Sequence, residues 1–143
     1  MTAALIGYLA IFSVESTDSP GDYIELGEIT DVTPPNAQVE QIDATHMQSP
    51  NRVREFIAGL TDFGDMSVGM NYIPSSATDD LILAWRTAGT TRSCRITYPS
   101  GSSPAPYDTF PGFITGYAPT IAIGEKMSAT LTVKVAGAVV RTN

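Results

Sequence analysis

Apolar and polar residues alternate along much of this chain with the period of two that a strand with one buried face requires. The cleanest run is Met127, Ala129, Leu131, Val133 and Val135, interleaved with Ser128, Thr130, Thr132, Lys134 and Ala136. Met66, Val68, Met70 and Tyr72 alternate in the same way with Ser67, Gly69 and Asn71, and Cys94, Ile96 and Tyr98 with Ser93, Arg95 and Thr97. Residues 5–14 form an apolar strand that ends in the turn-forming stretch 15–22. Short extended pieces follow at 23–29 and 31–33, Pro34-Pro35-Asn36 forces a turn, and 39–42 resume extended structure. Residues 107–117 read as an aromatic strand interrupted by a bulge or edge at Pro111-Gly112 and closed by Pro119. The Ser/Gly/Pro-rich stretch 99–106 joins it to the preceding strand as a hairpin.

Only one segment has helical period. Ser75 and Ser76 offer an N-cap, Asp79 and Asp80 sit where the helix dipole favours acids, and Gly89 stands at the C′ position. Between them, over about 76–88, Ala77, Leu81, Ala84, Trp85 and Ala88 recur at three- and four-residue steps. This stripe is expected to pack on a sheet, with Leu81 and Trp85 as the anchors. Residues 43–65, in contrast, show no period: Ser49-Pro50-Asn51 is a turn, 54–58 are briefly extended, and Gly59 and Gly64 break any longer element. A connection of this length is uncommon in a compact domain unless it has a function. The expectation is a mainly β (α+β) fold: a β-sandwich or barrel with one flanking helix and a long irregular connection between early strands.

Composition narrows the function classes. A chain of 143 residues suits one core, so residues 1–143 are read as a single domain. Charged residues are only 16%, which leaves a surface of Thr, Ser, Ala and Gly suited to packing against other subunits. Fifteen acids against eight bases give a net charge of −7, the wrong sign for gripping phosphate. The apolar start has no Lys or Arg before it and is shorter than the roughly 20 residues of a membrane span, so it reads as a buried strand and no membrane partner is expected.

Candidate chemistry is sparse. His46 is the only histidine, lies in the irregular connection, and has no nucleophile-elbow serine or metal-spaced carboxylate near it in sequence. Cys94 alternates with core residues and reads as a small buried hydrophobe. Asp79 and Asp80 serve the helix N-terminus, and Asp62 and Asp65 lack the ligand spacing of a calcium loop. No catalytic, cofactor-binding or metal-binding residues are expected, and the chain is read as a structural protein, not an enzyme. A sugar- or receptor-binding β-sandwich is the alternative from a different class.

The ordered set Gly27-Glu28-Ile29, Ile42-Asp43-Ala44-Thr45, Arg54-Glu55-Phe56-Ile57-Ala58-Gly59-Leu60-Thr61-Asp62 and Gly64-Asp65 resembles the tail tube (major tail) proteins of lambda-like long-tailed bacteriophages. Arg54, Glu55, Phe56, Gly59 and Asp62 are its most specific part, and the likeness runs over about 27–137 in the family's element order. The resemblance implies a tail-tube/Hcp-like fold without a further immunoglobulin-like domain, and hexameric rings stacked into a hollow tube that conducts the genome. It implies no cofactor. The implied partners are the chain itself, tail-tip, tape-measure and tail terminator proteins, and double-stranded DNA in transit without specific binding. The implied place is the virion tail, assembled in the host cytoplasm. The inner tube of a contractile tail or of a type VI-like secretion system is the nearest alternative.

On this reading the connection 43–65 is an assembly segment, mobile in the monomer and ordered by a neighbour. Asp43, Thr45, Arg52, Arg54, Glu55, Phe56, Gly59, Leu60 and Asp62 are its expected interface residues: Phe56 and Leu60 fill apolar sites, and Arg52 and Arg54 meet acids. The excess of acids is expected to keep DNA from adhering to the wall of the channel.

Overall fold

A computed structural model describes residues 7, 9–101 and 103–143. Leu5, Ile6 and Tyr8 of the expected first strand, and Ser102 of the expected 99–106 loop, lie outside the described residues. The described chain forms β1 (Ile11–Glu15), β2 (Tyr23–Glu25), β3 (Ile29–Thr33), β4 (Gln38–Asp43), β5 (Phe56–Asp62), β6 (Asp65–Asn71), α1 (Ala77–Ala88), β7 (Arg92–Thr97), β8 (Tyr107–Thr120), β9 (Ser128–Val135) and β10 (Val140–Thr142). The fold is mostly β with one helix, as the alternation requires.

Eight strands make one antiparallel sheet in the order β2-β1-β7-β8-β9-β6-β3, with β10 on β8. The sheet is organised by β8, whose fourteen residues serve two sets of neighbours. Residues 107–112 pair with β7, and 112–120 pair with β9 after a register shift between Ile114 and Gly116. The bulge therefore falls at Thr115 and not at Pro111-Gly112, and the strand runs on through Pro119 to Thr120. Pro111 fits because its carbonyl accepts Ala136 N–H at 2.8 Å, so its missing donor faces the gap where β9 leaves and β10 has not begun. Gly112 is required for a different reason: a Cβ there would stand 2.7 Å from Val133 Cγ1.

The inward faces of the two halves supply one core. Phe12, Val14, Cys94, Ile96 and Phe110 come from one half and Met66, Val68, Met70, Ala129, Leu131, Val133 and Val135 from the other, with Ile82 and Trp85 from α1. These are the alternating positions of the sequence, and burial of each large side chain contributes about 1.5–3 kcal/mol. The helix is capped as expected: Ser76 Oγ accepts Asp79 N–H at 3.2 Å and Gly89 takes a left-handed φ of 64°. Its buried face is rotated from the expected stripe. Trp85 is fully buried and Leu81 partly so, but Ala77, Ala84 and Ala88 are exposed, while Asp79 and Ile82 point inward. The reason is polar: Asp79 accepts from Tyr117 Oη at 3.0 Å and from Ser75 N–H at 3.1 Å, which turns that side of the helix onto β8. Trp85 donates from Nε1 to the Thr90 carbonyl at 2.8 Å, fixing the exit of the helix.

The short β10 is held on the edge of β8 by a polar clasp. Arg141 forks onto the buried carboxylate of Asp108 and lies over the Tyr98 ring, and Tyr98 Oη donates to Asp108 at 2.8 Å. The Arg141 guanidinium holds the Asp108 carboxyl below the usual carboxylate range, and burial with the Asp108 charge pushes the Tyr98 hydroxyl up to about 12. Because the folded pKa of Asp108 is depressed, its contribution to stability is present above the unfolded value of about 3.9 and is lost as pH falls through the folded value.

Two outcomes follow for this fold. Trp85→Ala should lower unfolding free energy by roughly 3–5 kcal/mol in urea titrations, through the cavity it leaves beneath α1. Asp108→Asn should lower the melting temperature at neutral pH and flatten its decline below about pH 4 relative to the parent, as read from thermal melts across pH.

Candidate assembly interface

The expected irregular connection is corrected by the structure: its second half is strand. Residues of β5 pair antiparallel with β4, from Gln38 opposite Asp62 to Asp43 opposite Phe56, and form a two-stranded sheet separate from the body. Sequence reasoning missed this because Phe56, Ile57, Ala58 and Leu60 are apolar at both parities, so no period of two is visible. Gly59, expected to break the element, sits inside it. The register shifts between Val39 and Gln41, and a Cβ on Gly59 would stand 3.0 Å from Ile42 Cδ1 and 3.1 Å from Glu40 Cβ. Glycine is used here for close approach at a bulge.

The hairpin arm is apolar on both faces and covered on neither. Register places Phe56, Ala58 and Val39 on one face and Ile42 and Ile57 on the other, with Leu60 at the register shift. Phe56 is 55% exposed, Ile57 56% and Leu60 83%. A two-stranded hairpin is marginal by itself in water, and this one presents apolar surface that the described residues do not bury. Val39, Ile42 and Ile57 are interface candidates that the sequence reading did not name; their signal was apolar character in a turn-flanked segment.

The polar motif residues tie the arm down at both ends. At the far end Asp43 Oδ1 accepts Thr45 N–H at 2.9 Å, and Thr45 Oγ1 accepts Glu55 N–H at 2.9 Å, closing the neck of the 44–55 loop. Ser49 Oγ donates to Glu55 Oε2 at 2.7 Å, and His46 Nδ1 accepts Gln48 N–H at 3.2 Å. Ser, His and carboxylate therefore meet, but the serine hydroxyl hydrogen-bonds the carboxylate directly, the reverse of the order an acyl-transfer triad needs. At the near end Asp62 Oδ1 accepts Gly64 N–H at 2.9 Å and faces Lys134 Nζ at 3.1 Å, fastening the arm to β9. Thr45 holds the Asp43 carboxyl below its ordinary range, and the Gly64 N–H and Lys134 do the same for Asp62.

Arg52 and Arg54 are exposed on the 44–55 loop, Arg52 with a left-handed φ of 60°. Among the described residues neither forms an ion pair. The structure thus leaves Phe56 and Leu60 exposed, assigns Asp43, Thr45, Glu55, Gly59 and Asp62 to the frame of the arm, and leaves the two arginines without an ion pair among the described residues. Cys94 is fully buried, and burial pushes its thiol up to about 12. Among the described residues there is no cluster of metal-ligating side chains, and no helix is long and apolar enough to cross a membrane.

Comparisons with known proteins bear on this arm and body together. Residues 11–141 match the family model described as lambda phage tail tube protein. No curated protein matches the chain in sequence. Among solved structures it is similar to the tail of an empty gene transfer agent particle refined with C6 symmetry, at 19% identity and TM-score 0.80, covering 98% of this chain and 100% of that one. It is similar to the SPP1 tail tube at 10% identity and TM-score 0.73, covering 98% and 80%. It is also similar to a chain of the sheath-tube complex of an extracellular contractile injection system, at 10% identity and TM-score 0.70, covering 97% and 91%.

Replacing Thr45 by Val removes the hydrogen bonds of its Oγ1 with the Glu55 N–H and carbonyl while nearly keeping the side-chain volume. Amide exchange at Glu55 and Thr45 should then accelerate at least about tenfold, with the body amides of β6 and β9 unchanged.

Proposed function

The chain belongs to the lambda phage tail tube protein family, and from this premise we propose that it polymerises through its β4–β5 arm into stacked hexameric rings forming the hollow tail tube. It is a structural tail protein, and its family is not an enzyme family. The observation that carries the arm's role is a hairpin apolar on both faces with neither face covered by its own chain. The C6 symmetry of the gene transfer agent tail, whose subunit shares this fold, supports the ring.

Assembly then completes what the monomer leaves open. Phe56 and Val39 on one face, Ile42 and Ile57 on the other, and Leu60 at the register shift enter apolar sites of neighbouring copies. Arg52 and Arg54 meet carboxylates there, in a chain whose acids outnumber bases by fifteen to eight. In the isolated subunit the arm opens readily, because a two-stranded hairpin lacks the packing that holds the body. We assign the whole chain to one tube domain, assembled in the host cytoplasm. Its partners are a tail-tip complex, a tape-measure protein and a terminator, and DNA crosses the channel without specific binding. The likeness to a contractile injection tube supports the inner tube of a contractile tail as second reading.

Phe56→Ser combined with Leu60→Ser should leave the melting temperature within a few degrees of the parent, since both side chains are exposed. The same protein, concentrated and viewed by negative-stain microscopy beside sedimentation, should yield few tubes where the parent yields many. In the parent, amides of residues 38–62 should be protected in tubes and exchange rapidly in the monomer. Equal protection in the two states removes the assembly role of the arm.

A further inference from the structure

The β8–β9 hairpin carries an unburied apolar tip. Ile121 is 71% exposed and Ile123 fully so, with Ala122 between them, in the loop that joins Thr120 to Ser128. Loop tips favour small and polar residues, so an Ile-Ala-Ile tip is unlike an ordinary solvated turn. Lys126 follows on the same loop.

The opposite end of β9 bears a hollow. It opens between the base of the arm and the chain leaving β9, and its apolar lining includes Val39, Leu60, Phe63, Val135 and Ala138, with the Glu40 carboxylate also on its wall. The ion pair between Asp62 and Lys134 holds its two sides together. Tip and hollow are thus separated by the eight residues of β9, roughly 25 Å at strand rise.

We propose that the 121–123 tip of one copy seats in the hollow beneath β9 of a second copy, with Lys126 directed toward Glu40. The contact joins different surfaces at opposite ends of one strand, so it is heterologous and each copy can both give and receive it. Such a contact propagates along an axis, as successive rings of a tube require. This inference rests on the tube reading and names the partner surface for stacking. It also explains why the base of the arm stays anchored to β9: the anchoring builds the wall that receives the next copy.

The test is a paired-cysteine variant, Ile123→Cys with Ala138→Cys, in the full chain. Both positions are exposed, and buried Cys94 does not compete. Protein concentrated to polymerise is oxidised, checked for tubes by microscopy, and run on non-reducing gels. A ladder extending beyond dimers from the pair, with no ladder from either single variant, is the expected result. Tubes without a ladder overturn the tip-in-hollow contact and leave the tube reading standing. Dimers from Ile123→Cys alone place tip against tip and also overturn it. If neither the parent nor the pair gives tubes or a ladder, the tube reading and this contact fail together.

Discussion

Strand β8 is the element against which the rest of the molecule is registered. Its first half pairs with β7 and carries β10, and its second half pairs with β9, with a bulge at Thr115 where the direction changes. Gly112 sits at the junction, paired on both sides, in a space that Val133 leaves too narrow for a Cβ. The two half-sheets can share one core only because this strand belongs to both. Trp85 and Ile82 then close that core from the helix, whose orientation is set by Asp79 meeting Tyr117 of the same strand.

The body's apolar interior is satisfied in this way, and the arm is different. Among the described residues its strands have no third strand and no helix beneath them, and its apolar residues point to both sides. In water that arrangement is a cost to the monomer, and the proposed assembly would offset it by burying both faces. Within the subunit the polar motif residues bond to the arm itself. Asp43, Thr45 and Glu55 close the loop neck, and Asp62 with Lys134 fixes the arm's departure angle from β9. Side chains that would suggest catalysis in a list, such as His46, Ser49 and Glu55, are spent on the same loop.

Much of the body could be read from the chain alone, because β6, β7 and β9 each bury one face, and burial imposes the alternation seen at 66–72, 93–98 and 127–136. The helix ends were equally plain, since Ser76, Asp79 and Gly89 answer to local hydrogen bonding and backbone conformation. The ordered set from Gly27 to Asp65 gave the family, and the match over residues 11–141 bears it out. What the chain did not disclose were features whose cause is another segment. The burial of Asp79 needed Tyr117, thirty-eight residues away; the strand at 56–62 needed β4 as partner while burying neither face; and Pro111 sits within a regular stretch of β8 because β9 ends beside it. Local periodicity reports burial and local caps report termini, so the sequence by itself determined strands, helix ends and family. Only the tertiary structure decided which apolar residues remain uncovered, because exposure depends on what the rest of the chain brings alongside.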